Sequence, residues 1–283
     1  MKVIVADQAG VCFGVKRALD LVNAECERGG PLFTLGPLIH NPQVVRDLEA
    51  KGVRVARSIS EAQRAVVMPS HGVPREVLQK AEAAGLRVID ATCPFVAKVH
   101  ARVRHLAARG YTVVVVGDAG HSEVKAILSA AGDDAVVIST VDEVDGRDWR
   151  GTKVGIVSQT TQTPERFGRI VGRIAERAAE VVAYNTICYA TYDRQTAARN
   201  LAPNVEAMFV VGGRNSANTN RLVEICREAG VPTYHIETAD EIDPRWVSGM
   251  SVVGLTAGAS TPEWIIEEVR SRLERFDPPA SPG

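Results

Sequence analysis

The stretch Asp90-Ala91-Thr92-Cys93-Pro94 decides how this chain is read. A hydrophobic run, Leu86 to Ile89, enters it as an expected strand. An apolar helical pattern leaves it, with Phe95, Val96, Val99, Val103 and Leu106 on one face. Cys93 therefore stands where a strand ends and a helix begins. Pro94 falls in the first helical turn, where a missing N–H costs least. A thiol at that place feels the positive end of the helix dipole, which favours thiolate. Cys12 and Cys188 have the same setting.

The bulk of the chain sets the bounds around those three sites. Its 283 residues suffice for two or three domains with a buried core. With 45% hydrophobic and 24% charged residues and a formal net charge of −1, it has the composition of an ordinary soluble protein. That balance argues against a general nucleic-acid or membrane-surface role. No apolar run reaches the length of a bilayer span. Met1 to Val5 reads as a strand rather than a signal peptide, so a cytoplasmic location is expected. Five cysteines without close pairs point to metal ligation or catalysis before disulfides.

Alignment on the three cysteines exposes an internal repeat. Cys12 to His40, Cys93 to His121 and Cys188 to Ser216 are each 28 positions apart. In every unit a helix and a strand follow the cysteine, and a polar corner comes next: His40-Asn41, His121-Ser122-Glu123, and Asn215-Ser216-Ala217-Asn218. A second strand then ends in a small polar loop before a proline: Ser70-His71-Gly72-Val73-Pro74, Ser158 to Pro164, and Ala257 to Pro262. Short continuous apolar runs separated by helical patterns are the mark of parallel strands covered on both faces. The third unit lacks a last strand, and the N-terminal strand Lys2 to Ala6 is left to fill that place.

The expected fold class is α/β, with three pseudo-threefold-related lobes. Small parallel sheets are expected around a central site, which the three cysteines, ligands suited to an iron–sulfur cluster, would make an iron–sulfur site. Lobe one spans residues 12–92 and lobe two 93–187. Lobe three spans 188–276 together with 1–11, and 277–283 is expected to be a disordered tail. Parallel sheets put ligands outside the carboxyl ends of their strands, so each lobe offers one cysteine and two polar loops.

Three lone cysteines fit a [4Fe–4S] cluster with one iron left open better than structural zinc, which uses paired ligands and closes all four positions. Buried structural cysteines are the plain alternative. His40, His71, His121, Ser216, Asn218 and Ser260 supply donors suited to a phosphate or diphosphate. Glu123 is either the proton donor or an exposed surface carboxylate, and Thr160 either a proton relay or a helix cap. Cys26 and Cys226 fall on apolar helix faces, and His100, His105 and His235 read as structural. The arginines of residues 166–177 read as a solvated helix face.

At this point the chain resembles the 4-hydroxy-3-methylbut-2-enyl diphosphate reductases, the IspH or LytB family, from about Val3 to Arg272. The resemblance rests on Gly10-Val11-Cys12-Phe13-Gly14-Val15, Ile39-His40-Asn41, Ser70-His71-Gly72, Asp90-Ala91-Thr92-Cys93-Pro94, His121-Ser122-Glu123-Val124 and Gln159-Thr160-Thr161, in that order. It continues through Ile187-Cys188-Tyr189-Ala190-Thr191, Asn215-Ser216-Ala217-Asn218 and Thr256-Ala257-Gly258-Ala259-Ser260. It implies an oxidoreductase of the non-mevalonate isoprenoid pathway. Such an enzyme removes the allylic hydroxyl of its diphosphate substrate, giving isopentenyl and dimethylallyl diphosphates. Cys12, Cys93 and Cys188 are then the cluster ligands. His40, His71, His121, Thr160, Ser216, Ala217, Asn218 and Ser260 bind substrate, and Glu123 and Thr160 handle its hydroxyl and proton. Reduced ferredoxin or flavodoxin is the implied electron donor, with no nucleic-acid or membrane partner.

Three departures stand out. Ala217 occupies a position where many members have a second serine. Ser122 replaces a usual proline, with Lys125-Ala126 in place of a glycine-containing segment, and Tyr192-Asp193 varies from the common pattern. Three other functions use the same residue types: a quinolinate-synthase-like dehydratase, a non-catalytic iron–sulfur sensor, and a zinc hydrolase. The first predicts arginines in the loops, where this chain has His, Ser and Asn.

Overall fold

A computed structural model describes residues 1–276 of the chain, so the tail expected at 277–283 lies outside the described residues. The apolar runs become strands, and helical patterns fill the intervals between them. In chain order the first elements are β1 (Lys2–Val5), α1 (Phe13–Glu27), β2 (Leu32–Leu35), α2 (Pro42–Ala50), β3 (Val53–Ala56), β4 (Ala65–Met68), α3 (Arg75–Ala83) and β5 (Arg87–Asp90). Next come α4 (Pro94–Ala108), β6 (Thr112–Val116), α5 (Ser122–Ala131), β7 (Val136–Ile138), α6 (Val141–Asp145), β8 (Lys153–Ser158), α7 (Pro164–Ala175) and β9 (Glu180–Ala183). The chain continues with α8 (Tyr189–Leu201), β10 (Met208–Val211), α9 (Ala217–Glu228), β11 (Thr233–Ile236), β12 (Val252–Ala257) and α10 (Glu263–Glu274).

The strands form three four-stranded sheets, ordered β3-β2-β4-β5, β7-β6-β8-β9 and β11-β10-β12-β1. All pairings are parallel and the three orders are equivalent. β1 pairs with β12, in register from Lys2↔Val252 to Val5↔Leu255, and so takes the place that β5 and β9 hold in the other sheets. β5 leads to Cys93, β9 to Cys188 and β1 to Cys12. In each sheet the chain leaves one central strand for the edge and returns to the other, which makes the gap between their carboxyl ends a topological switch point.

The edge strands β3 and β7 were not anticipated by the apolar runs. β3 is buried only at its two ends, and β7 has three residues, so neither carries the continuous apolar signal of a central strand. Burial of the middle sheet shows why such a signal works. Val114, Val116 and Ile156 pack on Phe167, Ile170 and Ile174 of α7. Val113, Val115 and Val157 pack on the opposite side, against Val99, Val103 and Leu106 of α4 and Val124 and Ile127 of α5. Each fully buried side chain of this kind contributes roughly 1.5–3 kcal/mol.

Two details differ from the periodicity reading. Phe95 leaves the buried face of α4 and is 37% exposed, whereas Val96, Val99, Val103 and Leu106 stay inside. The arginines of residues 166–177 are more than a solvated face, because Arg173 Nε in α7 and Arg177 Nη2 just past its end reach Asp145 Oδ1 at 2.7 and 2.8 Å.

The chain divides into two compact units. One comprises Met1–Cys12, His40–Val44 and the residues from Tyr189 on, and contains the sheet built on β10 and β12. The other comprises Phe13–Ile39 and Val45–Cys188, and contains the sheets built on β2 and β4 and on β6 and β8. Among the described residues no helix is long and apolar enough to cross a membrane.

Candidate active site

Each of the three cysteines is tied down by the same hydrogen bond. Cys93 N–H donates to Ser70 O (2.9 Å), Cys188 N–H to Thr160 O (3.0 Å) and Cys12 N–H to Ala259 O (3.1 Å). Each acceptor lies two residues beyond the end of a central strand, β4, β8 or β12. The repeat seen in the sequence is thus a repeat of backbone geometry. Each cysteine directly precedes a helix, and all three are half-buried. The remaining two differ: burial pushes the Cys226 thiol up to about 12 and raises that of Cys26. Among the described residues no group of three or more His, Cys, Asp or Glu side chains forms a site for a single metal ion.

In the larger unit, His71, His121, Glu123 and Thr160 stand at the ends of β4, β6 and β8. His121 caps α5, its Nδ1 accepting from the Glu123 N–H at 3.1 Å. A neutral imidazole whose Nδ1 accepts carries its proton on Nε2, which leaves that nitrogen as a donor. The His71 and His121 rings meet edge-on, with centroids 6.5 Å apart. Glu123, only 3% exposed, is not a surface carboxylate. Its Oε1 accepts from the Thr160 N–H (2.6 Å) and its Oε2 from the Thr160 hydroxyl (2.8 Å). Burial raises its pKa to about 7, the two Thr160 bonds pull the other way, and Asp118 adds a small upward push. Thr160 is not a helix cap; Thr163 caps α7.

The smaller unit gathers His40, Ser216, Ala217, Asn218 and Ser260. The Ser260 hydroxyl donates to His40 O at 3.2 Å. The same carbonyl lies so close to Gly213 that a Cβ there would meet it at 2.4 Å, which requires glycine. Burial lowers the His40 pKa, which disfavours the charged ring. Ser216 caps α9, accepting from the Thr219 N–H at 3.3 Å. Asn218 is 5% exposed, yet neither its Oδ1 nor its Nδ2 has a protein partner. A buried amide left unpaired in this way is costly, and a ligand with both lone pairs and protons to offer satisfies it. Ala217 brings no polar side chain, only its N–H in the first turn of α9.

Three residues were missed as site residues in the sequence reading. Asn41, rather than His40, caps α2, its Oδ1 accepting from the N–H groups of Gln43 and Val44 (3.0 and 3.1 Å). The 28-residue alignment hides this because the first repeat has one more residue before its helix. Gln159, fully buried, accepts from the Asp118 N–H at 2.9 Å, and its Nε2 is unpaired. Arg194, 3% exposed, donates to Gly10 O at 2.8 Å and supports the loop before Cys12. A helix-borne arginine gives no sequence signal of such a role.

Residues 3–274 match the model of a family described as LytB protein. The chain belongs to the LytB family. It is 46% identical, over 98% of both chains, to the 4-hydroxy-3-methylbut-2-enyl diphosphate reductase of Geotalea uraniireducens. It is 47% identical, over the same shares, to that of Geobacter sulfurreducens. Two solved structures resemble it. One is an (E)-4-hydroxy-3-methyl-but-2-enyl diphosphate reductase described as the terminal enzyme of the non-mevalonate pathway. It is 44% identical with a TM-score of 0.69, covering 98% of this chain and 100% of that one. The other is the reductase from Plasmodium falciparum, 27% identical with a TM-score of 0.92, covering 98% and 89%.

Proposed function

We propose that this LytB-family chain is a 4-hydroxy-3-methylbut-2-enyl diphosphate reductase. It converts that substrate, two electrons and two protons into isopentenyl or dimethylallyl diphosphate and one water. The observation that carries the reading is the buried Glu123 carboxylate gripped twice by Thr160, a proton store tuned to near neutrality. The three lobes, 12–92, 93–187 and 188–276 with 1–11, are the repeating units that supply its parts.

Family membership implies an iron–sulfur cofactor. The cysteines suit one: three half-buried thiols at helix starts, each anchored through its own N–H, unlike the sealed Cys226. In this reading Cys12, Cys93 and Cys188 hold a [4Fe–4S] cluster with one iron free of protein ligands. Such a cluster, when bound, supplies single electrons and a Lewis-acidic site for the substrate oxygen.

The protein does the rest. His40, His71, His121, Ser216 and Asn218, with the Ala217 N–H, donate to the diphosphate and orient the hydroxyl end, and Ser260 joins them by turning its hydroxyl away from His40 O. Diphosphate binding thereby spends its energy on placement remote from the reacting carbon. When Glu123 is protonated its bond to Thr160 reverses: the carboxyl O–H donates to the Thr160 oxygen, the Thr160 O–H turns to the leaving oxygen, and the proton passed along this relay lets that oxygen depart as water. Electrons come from a ferredoxin or flavodoxin in a cytoplasmic setting. The test is an anaerobic assay with the allylic diphosphate and reduced methyl viologen. Five-carbon diphosphates are expected as products, and a protein that carries iron yet leaves substrate intact would refute the reading.

A further inference from the structure

Resting on that reductase reading, we propose that the outward stripe of α4 is the docking surface for a small acidic protein that delivers electrons one at a time. Of the described helices, α4 alone carries Lys and Arg without any Asp or Glu. It is also the helix capped by Cys93. Phe95, Lys98, Arg102, His105 and, just past the end, Arg109 follow at steps of three and four, which puts them on one face. The net charge of the chain is −1, so this stripe is a local concentration and not part of a generally basic surface.

Two of the cations are held against aromatic rings. Arg102 lies over the Tyr184 ring at 4.5 Å and Arg109 over Tyr111 at 5.8 Å, contacts that fix the guanidiniums and leave their charge intact. Glu180 interacts with Arg109 at the far end of the stripe, and both it and Asp90, which precedes Cys93, have other partners. Glu180 is bound by Lys153 at 3.0 Å and by Tyr111, and Asp90 accepts from the Thr92 N–H at 2.9 Å. Arg17 adds a further cation beside Cys93, donating to Thr92 O at 3.1 Å. Exposed Phe95 supplies the apolar contact at the cysteine end. At about 1.5 Å of rise per residue, Lys98 is only ~7.5 Å along the axis from Cys93. An acidic carrier seated here is steered by charge and brought to a proposed cluster ligand. Two encounters supply the two electrons of one turnover, and each leaves the carrier oxidised by one electron.

The test compares wild-type holoenzyme with Lys98→Glu/Arg109→Glu, using a reduced acidic ferredoxin as the probe. Fluorescence anisotropy of labelled ferredoxin is expected to show binding weakened about tenfold or more at low salt, with a flatter salt dependence. The KM for ferredoxin rises by a similar factor while methyl viologen-driven turnover is unchanged. Unchanged ferredoxin affinity overturns the proposal, as does tighter binding of a DNA duplex than of ferredoxin to the same stripe. Should the double variant lose dye-driven turnover, the exposed single variant Lys98→Gln carries the same comparison, and unchanged affinity again overturns it. Absence of dye-driven turnover in the wild type would instead count against the reductase reading, because the anisotropy measurement stands without it.

Discussion

Thr160 holds Glu123 with two donors at once, its backbone N–H on Oε1 at 2.6 Å and its hydroxyl on Oε2 at 2.8 Å. The pair is 37 residues apart in the chain, and both members are buried. The carboxylate is thereby fixed in place while desolvation keeps its proton affinity high.

Replacing Glu123 by Gln is expected to cut turnover roughly 10²-fold or more, the scale of lost acid catalysis. The amide keeps the volume but turns one of the two acceptors into a donor facing Thr160. Iron content and the visible spectrum should match the wild type. Undiminished turnover would remove Glu123 from the mechanism.

Glu123 also sets a pH dependence. Its pKa rises from 4.5 to about 7 on folding, so between those values the folded protein keeps a proton that the unfolded chain has lost. Stability from this group therefore falls as pH rises through that window and levels off above it. At about 1.4 kcal/mol per pH unit, the full effect is roughly 3 kcal/mol. Denaturant melts of metal-free protein across the window should show the slope, and Glu123→Gln should abolish it. Turnover limited by this proton should decline above pH about 7.

Thr160→Val keeps the backbone donor and loses the hydroxyl. One carboxylate oxygen is left without its partner, at a cost of roughly 1–3 kcal/mol to stability. Turnover should fall by about 10- to 100-fold, and Thr160→Ser should restore most of it. Stopped-flow or steady-state assays of the two variants side by side separate the hydroxyl from the methyl.

Asn218→Leu should separate stability from binding. The wild-type amide is buried without partners, so removing it is expected to raise stability by about 1 kcal/mol in the absence of ligand. Affinity for the diphosphate substrate should weaken at least about tenfold. Thermal melts and titration calorimetry read the two effects. A destabilised variant with intact affinity would show that Asn218 only packs.

Serine at Cys12, Cys93 or Cys188 should abolish iron retention after anaerobic reconstitution. Alanine at Cys26 or Cys226 should not, because Cys26 lies inside α1 rather than at a helix start and Cys226 is buried within α9. Iron analysis and absorbance distinguish the two sets.

The sequence alone determined the strand–cysteine–helix junctions, the 28-residue spacing and the polar loops at strand ends. These are local features: an apolar run, a proline and a helical period each act within a dozen residues. It also marked β1 as the strand left over, and sheet pairing places it beside β12. Only the tertiary structure decided which polar side chains meet. Glu123 could equally have been a surface carboxylate, and Thr160 a cap, until packing of α5 and the loop after β8 buried one against the other. The same holds for Asn41 capping α2, Arg173 reaching Asp145, and Phe95 turning outward from a helix whose period put it inside. Burial of a single polar group depends on neighbours far away in the chain, and no local pattern encodes it.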